Sequence, residues 1–271
     1  MNHPTSLKSL ILSVVKNYSL IWQMTKRNVI GKYKGSFFGL FWSFINPLIM
    51  LGIYTFAFSV VFKAKWGLEE EGHMDFALIL FASLTIFNFF GEILKESPLL
   101  IVSQPNFVKK VVFPLEILPI ANLLSASVHM GASLVVFLVF YGIAHLSIPW
   151  TIVFLPFIII PLTLLSLGVS YILASLGVFF RDIGYFMTHI ITILLFTSPV
   201  FFSMDRIPEK FRHLMLVNPL AALLENARSV MVFEKTPDFL ILSVYTVFGV
   251  LFLVFGYWVF QKTRKGFSDV L

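Results

Sequence analysis

The stretch "KRNVIGKYKGSFFGLFWSFINPLIM", Lys26–Met50, decides the class of fold. Its first nine residues hold four cations, Lys26, Arg27, Lys32 and Lys34, and no charge follows them. Only Gly35 and Ser36 separate the basic part from the apolar one. The run free of Asp, Glu, Lys and Arg continues from Gly35 to Phe62, 28 positions, and about 20 apolar residues suffice to cross the hydrocarbon of a bilayer. Upstream, Leu20, Ile21, Met24 and either Val29 or Ile30 lie among the cations. That mixture suits a helix from about Tyr18 to Lys34 lying in the membrane interface, its lysines at the lipid phosphates. Gly35 and Ser36 then supply the turn by which the chain dives inward. A plain positively charged flank would explain the cations but not the apolar residues between them.

The rest of the chain agrees. Of 271 residues, 58% are hydrophobic and 13% charged, with a mean hydropathy of +0.89. An average soluble domain is about a quarter charged, so these charges are too few to cover a water-soluble body. Lys and Arg number 20 against 14 acids. In a membrane protein that excess belongs to cytoplasmic loops facing anionic lipid. No basic helix or aromatic–basic motif stands apart from the spans, so a nucleic-acid partner is not expected. The absence of cysteine excludes disulfides and thiolate metal sites. The first apolar stretch, "LKSLILSVVKNYSLIW", is interrupted by Lys16 and lacks a small-residue cleavage site, so no cleaved signal peptide is expected.

Further uncharged runs cover Phe76–Gly91, Ile117–Phe180, Ile183–Met204 and Phe239–Gln261. The first reaches across only with Glu92 and Lys95 at the headgroups. The second, 64 positions, suits two helices broken at "HLSIPW", His145–Trp150. The expectation is an all-α integral membrane protein forming one domain over 1–271, with approximate spans at 37–62, 76–94, 113–144, 150–180, 183–203 and 239–261. Residues 1–36 form the cytoplasmic interfacial segment. With both termini in the cytoplasm, thirteen of the twenty cations fall inside and nine of the fourteen acids outside, as the positive-inside rule requires. The segment 204–238 is too polar to span and too apolar for a solvated loop. A re-entrant pair of half-helices dipping into the outer leaflet, broken at Asn218-Pro219, fits both facts, and such backbone must line protein or a wet cavity.

These residues resemble the permease subunit of bacterial ABC-2 type polysaccharide exporters, the group that handles O-antigen, capsule and teichoic acid. The entry signature reads Arg27-Asn28, Lys32-Tyr33-Lys34, Gly39-Leu40-Phe41-Trp42 and Asn46-Pro47, with Asn28 where the pattern has an acid and Gly31 interrupting the basic run. The cytoplasmic loop is matched by "NFVKKVVFPLEILPI", the pair after the fourth span by Arg181-Asp182, and the outer segment by Ser198-Pro199-Val200-Phe201 and "NPLAALLENAR". The resemblance implies a homodimer working with two ATP-binding cassette subunits in the bacterial cytoplasmic membrane. Its substrate would be a lipid-linked glycan. ATP and Mg would sit on the partner, because no G-x-x-x-x-G-K-[ST] loop occurs here.

Within that frame, the interfacial entry helix carries Arg27, Lys32, Tyr33 and Lys34. A short docking helix for the ATPase involves Leu100, Ile101, Asn106, Lys109 and Lys110. Sugar rings present apolar C–H faces to aromatic side chains, so Trp42, Tyr54, Phe58, Phe87, Phe89 and Phe90 are candidates for lining a conduit, against the ordinary role of aromatics in filling and anchoring membrane helices. The outer gate involves Pro199, Asn218, Pro219, Glu225 and Arg228, the last two sharing a helix face at a spacing of three. The alternatives are an ABC-2 exporter of small molecules or lipids and a membrane-embedded glycan-processing enzyme. Against the enzyme, Glu69–Glu71 read as a solvated charge run, and His129, His145 and His189 lack ligand spacing, so neither a catalytic nor a metal site is expected.

Overall fold

Hydrocarbon offers no partner for backbone amides, so a chain crossing it must pair them within its own helices. The computed structural model describes residues 5–61, 73–109, 113–203 and 218–271, and every regular element among them is helical. In chain order these are α1 (Leu7–Lys16), α2 (Tyr18–Tyr33), α3 (Trp42–Tyr54), α4 (His73–Glu96) and the short α5 (Leu99–Val102) and α6 (Pro105–Lys109). There follow α7 (Ile117–His145), α8 (Leu155–Phe179), α9 (Ile183–Thr197), α10 (Ala221–Met231), α11 (Phe239–Thr263) and α12 (Phe267–Val270).

The opening stretch folds as its composition requires. Ile21, Met24, Thr25 and Val29 form the buried stripe of α2, a spacing of three and four that marks one helix face. That stripe packs on α7; the Thr25 hydroxyl donates to the Ile21 carbonyl at 2.9 Å and lies 3.5 Å from the Ala121 carbonyl. The cations Lys26, Arg27, Lys32 and Lys34 are exposed. The turn falls where it was expected: Gly35 adopts φ +87° with open space where a β-carbon would stand, so the left-handed backbone itself calls for glycine. Ser36 ties the turn, donating to the Tyr33 carbonyl and accepting from the Gly39 amide.

Five helical stretches among the described residues are long and apolar enough to cross a membrane: Gly39–Ala57, Asp75–Glu96, Ile117–His145, Trp150–Phe179 and Phe239–Val270. The sixth expected span is shorter. α9 has 15 residues, about 22 Å at 1.5 Å per residue against a hydrocarbon layer of about 30 Å. Pro199 explains the stop. It pushes Ser198 to an extended backbone, and its ring cannot continue the amide ladder.

The break within 145–150 is also as expected. Leu146 takes the left-handed cap after α7, and Pro149 precedes a 3-10 turn leading into α8. α8 and α11 make the most intimate pair. A β-carbon on Gly168 would lie 2.6 Å from the Phe252 carbonyl carbon, and one on Gly256 would strike the Gly168 carbonyl. Small residues thus let the two backbones touch, which is how membrane helices gain dispersion contact without a hydrophobic driving force.

Two apolar clusters fill the bundle. One centres on α4, the most enclosed helix, with α7, α9 and α10 around it. The other gathers Leu10, Ile21, Ile101, Phe113, Tyr171, Tyr257 and Phe267. It therefore places α1, the α5 loop and the end of α11 at one end of the molecule. Of the segment 204–238, residues 204–217 lie outside the described residues. The remainder is α10, buried on most of its faces, with short non-helical segments on either side of it.

Candidate functional site

α4 carries a carboxylate about one turn before its C-terminal end, and the structure shows how it is held. Glu92 Oε1 lies 2.7 Å from Lys32 Nζ of α2 and 2.7 Å from His129 Nδ1 of α7. The side chains of Glu92 and His129 are only 21% and 14% exposed, so the carboxylate is enclosed between helices. An ionised group inside a membrane bundle needs a partner or a wet cavity; here it has both.

Two cavities meet at this cluster. A crevice of about 260 Å³ opens beneath α2, lined by Arg27, Asn28, Lys32, Glu96, Gln104 and Asn122 among others. A chamber of about 210 Å³ continues towards α3 and is lined by Tyr33, Asn46, Tyr54, Thr85, Asn88 and His129 among others. Lys32 and Glu92 border both, so their ion pair forms a common wall. Asn46, Met50 and Tyr54 line the chamber at a spacing of four, one face of α3. The Tyr33 ring meets His129 edge-on at 5.8 Å. Burial pushes the Tyr33 phenol above its ordinary value, with Lys32 opposing and Glu92 adding to the rise; the group remains a neutral hydroxyl at physiological pH. Asn122 Nδ2 and His129 Nε2 are enclosed and have no partner among the described residues.

The expected conduit residues divide. Tyr54 lines the chamber, and Trp42 is half-buried at the start of the same helix. Phe87, Phe89 and Phe90 are 3%, 2% and 3% exposed. Packing within the apolar core is therefore the role the structure gives Phe87 and Phe89. Phe90 also borders a separate, mostly apolar cavity of about 430 Å³ with Pro219, Tyr245 and Phe248. The side chain of Phe58 lies outside the described residues. Sequence reasoning missed Asn46, Asn88, Glu92 and His129 as a group. The available signal was Glu92 itself, a charge at the end of an uncharged run.

The loop expected to dock a partner forms α5 and α6. Ile101 is fully buried and belongs to the core, a correction to its expected outward role. Leu99, 49% exposed, faces out instead. Leu100 is half-buried, Asn106 and Lys109 are exposed, and Lys110 lies outside the described residues.

The outer-gate residues do come together. Asn218 Nδ2 donates to Ser198 Oγ at 2.8 Å, while its Oδ1 accepts from the Leu220 amide at 2.9 Å and closes a turn into α10. The Arg228 guanidinium, 3% exposed, donates through Nη1 to the carbonyl of Pro199. Its approach to Glu225 is looser, 4.0 Å from Nη2, and the Glu225 side chain is 44% exposed. A carbonyl freed at the end of α9 thus helps to hold the buried cation. Across the described residues no group of three or more His, Cys, Asp or Glu is arranged to hold a metal ion.

Comparison with known proteins follows the same lines. The profile of the ABC-2 type transporter family matches residues 19–232. An O-antigen export system permease protein, RfbA, of Klebsiella pneumoniae is 28% identical over 258 residues, covering 94% of this chain and 95% of the relative. A second RfbA of that organism is 27% identical over the same shares. RfbA of Myxococcus xanthus is 26% identical over 263 residues, 96% of this chain and 98% of its own length.

Proposed function

The chain belongs to the ABC-2 type transporter family, and from that premise we propose that it is the membrane-spanning permease subunit of an exporter for lipid-linked polysaccharide, of the O-antigen, capsule or teichoic-acid type. Relatives named as O-antigen export permeases align with nearly its whole length. The observation that carries the reading is the two-part polar cavity in an otherwise apolar bundle. Its inner chamber offers amides, hydroxyls and an aromatic ring from Asn46, Asn88, Thr85 and Tyr54, the groups that engage a polyol. Its outer crevice adds Arg27 and Lys32, suited to the phosphates joining glycan to lipid.

The working unit is a homodimer joined to two ATP-binding cassette subunits in the bacterial cytoplasmic membrane, with both termini cytoplasmic. ATP and Mg act on those partners. Leu99, Leu100, Asn106 and Lys109 form the docking surface, Trp42 and Tyr54 contact the moving polymer, and Pro199, Asn218 and Arg228 brace the outer gate.

The test is mass analysis of what co-purifies with the permease–ATPase complex. A lipid-linked glycan is expected, reduced several-fold in Asn88→Leu and Asn46→Leu at unchanged protein yield. Recovery of only small molecules or ordinary phospholipids, from wild type and variants alike, would exclude the polysaccharide reading and favour a lipid or small-molecule exporter.

A further inference from the structure

Away from the polar cavity, a second buried ionic centre ties together four elements at the end of the bundle that holds α1 and α12. Glu116, the residue that caps α7, has a side chain 11% exposed. Its Oε2 accepts from Arg264 Nη1 at 2.6 Å, at the end of α11. Its Oε1 accepts from the Ser13 hydroxyl of α1 at 2.8 Å. Its backbone carbonyl accepts from the fully buried Tyr171 hydroxyl of α8, also at 2.8 Å. The second arm of the guanidinium, Nη2, donates to the Phe113 carbonyl at 2.7 Å. The Phe113 ring stacks on Phe107 of α6, centroids 4.3 Å apart and planes 5° from parallel.

We propose that Glu116 and Arg264 form a joint that carries movement of the α5–α6 loop into the membrane helices α8 and α11, with Glu116 as a positioning residue for transport. The proposal rests on the permease reading above, in which that loop meets the ATPase. Three features favour a mechanical role over simple adhesion. The contacts run in series from α6, through the Phe107–Phe113 stack and Arg264, to α11, and from Glu116 to α8 and α1. The contacts are directional and fixed: the planar guanidinium fork holds a carboxylate and a carbonyl in set directions, whereas the three donors of an ammonium rotate freely. A buried ion pair adds little net stability over well-packed apolar side chains, whereas it fixes register in the cases where its use is best understood. Beyond Arg264, Tyr171 packs edge-on against Tyr257 and Phe260 of α11, so a displacement received at Glu116 reaches the closely packed α8–α11 pair.

The experiment uses the full permease with its ATPase partner in proteoliposomes, comparing wild type with Glu116→Gln, Arg264→Met and Arg264→Lys. Glu116→Gln keeps the shape and an acceptor for Ser13 but removes the charge. Two readouts are taken: glycan moved per ATP hydrolysed, and the change in distance between probes at Pro105→Cys at the start of α6 and Leu240→Cys at the start of α11 when an ATP analogue is added. Both sites are exposed. Complex yield and basal ATP hydrolysis are expected within twofold of wild type in all three variants. Glycan per ATP is expected to fall at least fivefold in Glu116→Gln and Arg264→Met, and less in Arg264→Lys. The nucleotide-driven distance change is expected to shrink by half or more in the same two. The joint is overturned if the distance change persists in them, if none occurs in the wild type, or if transport falls only in step with complex yield. A wild-type complex that changes distance yet moves no glycan would instead overturn the permease's substrate assignment.

Discussion

The contrast between Arg228 and Glu225 shows how partner choice sets the cost of a substitution. Arg228 is enclosed and bonded to the Pro199 carbonyl, while Glu225 reaches solvent and stands 4.0 Å away. Hydrogen bonds involving a charged group contribute about 1.5–3 kcal/mol, so Arg228→Ala is expected to lower stability by roughly that much and to impair export. The Glu225–Arg228 pair itself should contribute about 0.5 kcal/mol or less, as exposed pairs do. Exchanging the two charges is expected not to rescue, because a glutamate at 228 would face a carbonyl. Thermal unfolding in detergent and surface glycan levels check both; recovery in the exchanged variant would return the pairing role to Glu225. The spacing of three was readable in the sequence, but the carbonyl partner, 29 residues upstream, was not. At Glu92 the position in the chain suggested a headgroup contact, and only the fold shows Lys32 and His129 arriving from separate helices. Glu92→Leu is expected to leave insertion intact and reduce export at least tenfold, since the wall between crevice and chamber is lost. Normal export in that variant would remove the cluster from the transport path.

Among the elements, helices were legible wherever period and length agreed. The helix over Tyr18–Tyr33, the turn at Gly35 and the break at 145–150 all follow from local chemistry. What remained hidden was the surface each helix meets. The apolar residues of α2 were readable among its cations, yet their burial against α7 is a tertiary fact. The α5 loop was legible as a short apolar helix, but not that Ile101 faces inward and Leu99 outward. Leu99→Asp is therefore expected to release the ATPase while the permease inserts normally. Ile101→Asp should instead abolish folded protein, because a carboxylate would enter the apolar cluster without a partner. Equal co-purification of the ATPase with Leu99→Asp and wild type would remove α5 from the docking surface. A second expectation belongs to the α8–α11 contact: Gly168→Val must push Phe252 away, separating the pair and sharply reducing detergent-stable protein. Unchanged yield and melting temperature would show that the helices can part without loss.

For the whole molecule, low charge and long uncharged runs were enough to read an all-helical membrane protein. The number of full crossings was not, because Pro199 stops α9 after 15 residues. The polar cavity was invisible in the sequence for a different reason. Asn46, Asn88, Glu92 and His129 are spread over three helices and converge only when α3, α4 and α7 pack. The central claim, that this cavity serves the export of a lipid-linked glycan by an ATP-driven complex, is tested most directly by transport in a defined system. The permease and its ATPase are reconstituted in sealed vesicles carrying the glycolipid, and lectin binding follows the glycan's appearance on the opposite face. ATP is expected to start that appearance, a non-hydrolysable analogue to prevent it, and Glu92→Leu to slow it at least tenfold with ATP hydrolysis retained. ATP hydrolysis by the intact complex with no glycan crossing, or crossing at the same rate without ATP, would contradict the claim.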